Sequence, residues 1–91
     1  MIDMAAVSQY ADRILAMVRE DMERPSFSVK HIPRDVASFT ELHEYCDAND
    51  YLTQARVPWG TDPGAGEDGV ELLNMVCAEV TRRLKAGELR R

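Results

Sequence analysis

His43, Asp47 and Asp50 stand at i, i+4 and i+7, and Cys46 follows His43 by three residues. On one helix this spacing sets the imidazole and both carboxylates on a common face, where they could hold a metal through two or three ligands. A metal sphere needs further donors at a familiar spacing. The sequence offers no second cluster, and His31 is the only other histidine. The residues therefore favour a solvated polar face and no metal. The Cys46–His43 pair raises the chemistry of a thiol nucleophile beside a base. Cys46, however, belongs to the apolar side of the helix, where burial raises a thiol pKa rather than activating it. The glycines at 60, 64, 66 and 69 lack the lysine and the serine or threonine of a phosphate loop, and no Gly-x-Ser-x-Gly elbow occurs. These patterns argue against an enzyme and require no cofactor.

The element that would carry these residues opens with Ser38-Phe39-Thr40-Glu41, a capping box. Its apolar side is Phe39, Leu42, Tyr45 and Cys46; its polar side is His43, Glu44, Asp47 and Asp50. The spacing predicts a short helix over 38–49. Asn49 is placed near its C-terminal end because asparagine tolerates the left-handed conformation found there. Earlier in the chain, Val7, Tyr10, Ala11, Ile14, Leu15, Val18 and Met22 form one helical stripe over 3–23. Asp3 caps its start, and Pro25 stops it. Later, Val70, Leu73, Val76, Cys77, Val80 and Leu84, widened by Leu72 and Met75, predict a helix over 67–86 with Gly87 as its stop.

The connections are less regular. Over 26–32, Phe27, Val29 and His31 alternate with Ser26, Ser28 and Lys30. An extended segment paired with Tyr51–Val57 or with another chain fits this pattern, and so does a packed irregular loop. Residues 53–66 read as a loop, since glycines and prolines crowd that stretch. Residues 87–91 read as a frayed tail.

Ninety-one residues make one domain, 1–91, and leave little for a second. The expected fold is mainly α: two long amphipathic helices, one short capped helix, and at most one short extended segment. With 45% hydrophobic and 30% charged residues the chain is globular rather than disordered. No apolar run approaches the roughly 20 residues of a membrane helix. The N-terminus lacks the basic flank and apolar core of a secretory signal. Cys46 and Cys77 fall on apolar helix positions and fit a reduced interior, which together predicts a cytoplasmic protein. The wide stripes of the outer helices suit a second chain that completes the core. Two helix hairpins pairing as a four-helix bundle would give a homodimer.

Charge is uneven along the chain. Glu41 to Asp68 holds seven acids and one base, while Arg82 to Arg91 holds five bases and one acid. Acids at a helix start and bases at a helix end are also what the helix dipole favours. Arg82, Arg83, Lys85, Arg90 and Arg91 are the candidates for nucleic-acid contact. A chain of net charge -5 opposes that reading at range, and no recognised nucleic-acid pattern is present. The single tryptophan, Trp59, sits in Val57-Pro58-Trp59-Gly60. It either folds back beneath the loop as core or serves as a partner-binding anchor, with Pro58 pre-setting the loop.

The stretch Pro33–Leu52, above all its SFTELHEYCDANDYL portion, resembles a segment of small uncharacterised proteins from actinobacteria and their phages. The resemblance covers about a fifth of the chain. It implies a small accessory protein encoded by a phage or another mobile element, and it carries no catalytic signature. The expected function is binding of a host or phage protein through His43, Glu44, Asp47 and Asp50, with Trp59 nearby. The alternative is a small nucleic-acid-binding regulator that uses the basic C-terminal end.

Overall fold

Two long helices frame the structure, a computed structural model that describes residues 3–58 and 69–90. α1 spans Met4–Glu23 and starts where the sequence cap places it: the Asp3 carboxylate accepts from the Ala5 amide at 2.9 Å. Its stripe Val7, Ala11, Ile14, Leu15, Val18 and Met22 is buried, and Tyr10 is half-buried beside it. α4 spans Gly69–Lys85 and buries Val76, Val80 and Leu84 in the same core. Leu72, Leu73, Met75 and Cys77 are partly buried against that core, whereas Val70 stays exposed. Mainly helical is therefore the correct fold class.

The two long helices run in the same general sense. Met4 lines a groove with Met75 and Ala78, Arg83 bonds to Ser8, and Arg19 reaches the Glu88 carbonyl. A hairpin would reverse this order. The connection from 24 to 68 is long enough to return the chain to its starting end, so α1 and α4 do not form the antiparallel hairpin expected of them.

The segment after α1 is a packed loop rather than a strand. Val29 donates to the Ser26 carbonyl at 3.2 Å and closes a tight turn, the one isolated bridge among the described residues. That reversal resets the alternation: Ile32 is fully buried and Val29 half-buried, while Phe27 and His31 face solvent. The backbone partner is also different. Lys30 donates to the Tyr45 carbonyl at 2.9 Å, because Tyr51 and Leu52 are themselves helical.

The helix expected over 38–49 is two short helices, α2 at Phe39–Leu42 and α3 at Asn49–Gln54. Ser38 caps α2 as expected, accepting from the Glu41 amide at 3.0 Å. Glu41 reaches back one residue further than a capping box requires, to the Ala37 amide at 2.9 Å. The helix then tightens: His43, Glu44 and Tyr45 each donate to the carbonyl three residues earlier. Asp47 restarts the chain as α3 by accepting from the Asn49 amide at 3.2 Å. Asn49 thus opens a helix instead of closing one. The break lets Phe39 and Leu42 on one side, and Ala48, Tyr51 and Leu52 on the other, all enter the core.

Part of the expected loop 53–66 is structured as well. Thr53 and Gln54 finish α3, and Ala55 and Val57 are buried. The Val57 amide donates to the Leu52 carbonyl and the Arg56 amide to the Thr53 carbonyl, the paired bonds of a Schellman ending. Arg56 takes the left-handed position at φ 63°, where glycine is usual. At the other end of the chain, Gly87 at φ 80° stops α4 as expected. The following residues do not fray. Glu88–Arg90 form a 3-10 turn, Leu89 is buried, and Arg19 and Arg34 donate to the Glu88 and Leu89 carbonyls at 3.4 and 3.2 Å. A buried leucine two residues past a glycine turn explains this order, since it anchors a segment that composition alone would leave loose.

Two substitutions test this packing by urea unfolding. Leu89→Ala should lower stability by about 3 kcal/mol if the C-terminal turn is part of the core, and a change near zero would mean that it is frayed. Arg56→Gly should raise stability by about 1 kcal/mol, because it removes the left-handed cost of a side chain. A loss would contradict the Schellman ending.

Candidate functional site

Tyr51 brings the chemistry of the fold to one place. Its ring is buried on α3, and its hydroxyl donates to Asp21 Oδ2 in the last turn of α1 at 2.7 Å. Cys46 Sγ lies 3.6 Å from that hydroxyl and 3.5 Å from the Leu42 carbonyl oxygen. Tyr51, Asp21 and Cys46 line a cleft of about 380 Å³. Asp47, Asp50 and Gln54 line it as well, together with Ser26, Ser28 and Val29 of the 26–29 turn.

The electrostatics of the cleft are one-sided. Asp50 accepts from the Gln54 amide at 2.7 Å and Asp47 from the Asn49 backbone, so both take neutral donors. Among the described residues, no lysine or arginine lines the cleft or pairs with its three carboxylates. Burial raises the Tyr51 hydroxyl pKa well above its usual range, and the bond to Asp21 raises it further. Burial also raises the Cys46 thiol, outweighing its hydrogen bond to the Tyr51 hydroxyl; the charges of Asp21, Asp47 and Asp50 add to the rise. Both groups stay protonated at neutral pH, which suits hydrogen bonding and not nucleophilic attack. Among the described residues no group of three His, Cys, Asp or Glu side chains converges as a metal site.

The residues singled out from sequence are only partly brought together. Asp47 and Asp50 share the cleft. His43 and Glu44 are exposed on the turn after α2, and His43 meets the Phe39 ring edge-on with centroids 5.6 Å apart. The common helical face of His43, Asp47 and Asp50 does not exist, because the helix ends at Leu42. Trp59 lies outside the described residues. Asp21 was not legible as a site residue: no local spacing links it to Asp47, and only the fold brings α1 to α3.

Two residues of the basic end, Arg82 and Arg83, pair with carboxylates of the fold. Arg82 bonds Glu79 through two nitrogens at 2.6 and 2.9 Å. Arg83 pairs with Asp12 and with Glu79, and it donates to Ser8 Oγ at 2.7 Å, which ties α4 to α1. Arg83 is sheltered, with 12% of its side chain exposed, whereas Arg82 is open at 67% and its pairing is correspondingly screened. Lys85 is exposed; the Arg90 side chain and Arg91 lie outside the described residues. Similarity adds no further assignment: no family model, no curated protein and no solved structure matches the chain. Among the described residues, no helix is long and apolar enough to cross a membrane.

The Arg82 bond, with help from Arg83, lowers the Glu79 carboxyl from its ordinary 4.5 to about 2. A carboxyl held lower in the folded state favours folding above its unfolded pKa and loses that contribution as pH falls through the folded value. Stability should therefore decline between pH 4.5 and about pH 2 partly through Glu79. Glu79→Gln should flatten that acid limb in unfolding experiments run across the interval. Identical limbs for the two proteins would contradict the pairing.

Proposed function

We propose that this protein is a small interaction module that seats a basic segment of a partner protein in the cleft between α1 and α3. One observation carries the reading: Asp21, Asp47 and Asp50 share a single cleft with no described cation on its walls. Three carboxylates that line one cleft without a described cation make a negative pocket, and a lysine or arginine from a partner would complement it. The volume of about 380 Å³ accommodates one long basic side chain with its neighbours.

Phe27 supports the same face. It is fully exposed at the tip of the 26–29 turn, flanked by Ser26 and Ser28, both of which line the cleft. Aromatic side chains beside a charged pocket are frequent anchors at protein interfaces. A basic residue followed by an apolar one would meet both features. An accessory role for a phage- or mobile-element-encoded protein agrees with the resemblance of the Ser38–Leu52 stretch.

Nucleic-acid binding through the basic end is less well supported. Arg82 and Arg83 already pair with carboxylates of the same chain, and Lys85 is the described candidate with no ion pair among the described residues. The acidic cleft would also repel phosphate.

The test uses a panel of short peptides graded in net charge and apolar content, bound to the purified protein and to two variants. Asp47→Asn/Asp50→Asn removes charge while keeping acceptors for Asn49 and Gln54, and Phe27→Ser removes the aromatic. Basic peptides with an apolar neighbour should bind the parent protein, weaken by about tenfold or more in either variant, and weaken in salt. Equal binding of acidic and basic peptides, or no loss in the variants, would overturn the reading.

A further inference from the structure

We draw no further inference here: the strongest candidate, the apolar groove between the start of α1 and the middle of α4 lined by Met4, Met75 and Ala78, is an unpartnered face, and nothing among the described residues shows what covers it.

Discussion

The hydrogen bond from Tyr51 to Asp21 is the point at which core and cleft become one structure. Burying the Tyr51 ring favours folding through the apolar area it removes from water, but a partly buried hydroxyl without a partner would offset part of that gain. Asp21 supplies the partner from the polar edge of α1. The same bond fixes α3 against the end of α1, and that contact brings Asp47 and Asp50 to the side of Asp21. The cleft is built around this partly buried phenol.

Charge is arranged by the same logic at the opposite end of the chain. Glu79 and Asp12 absorb the charge of Arg82 and Arg83, and the Ser8 contact adds a neutral acceptor to Arg83. Of the basic residues that look like a free patch in sequence, Arg83 is therefore a cross-link between α1 and α4, and Arg82 pairs within α4. The acidic residues of the middle receive no such treatment within the described chain.

Much of the fold was legible because its signals are local. The stripes from Val7 to Met22 and from Val76 to Leu84 declare their buried faces by spacing alone, and the caps at Asp3 and Ser38 need only neighbouring residues. What could not be read depends on distance in sequence. The break after Leu42 follows from the need to bury both Leu42 and Tyr51, a requirement set by α1. The anchored C-terminal turn depends on Arg19 and Arg34, more than fifty residues away from it. The cleft was half legible: Asp47 and Asp50 stood out by spacing, although on a helix that does not exist, and Asp21 carried no signal. His43 was drawn in by that same false helix, and its ring instead rests on Phe39.

The most direct measurement is a double-mutant cycle on Tyr51 and Asp21. Tyr51→Phe, Asp21→Asn and the double variant would be unfolded in urea alongside the parent protein. A phenol donating to a partly sheltered carboxylate should show a coupling of about 1.5 kcal/mol, with the double variant losing less than the two single changes together. A coupling indistinguishable from zero would mean that this bond does not join α3 to α1, and the organisation of the cleft would then lack its cause.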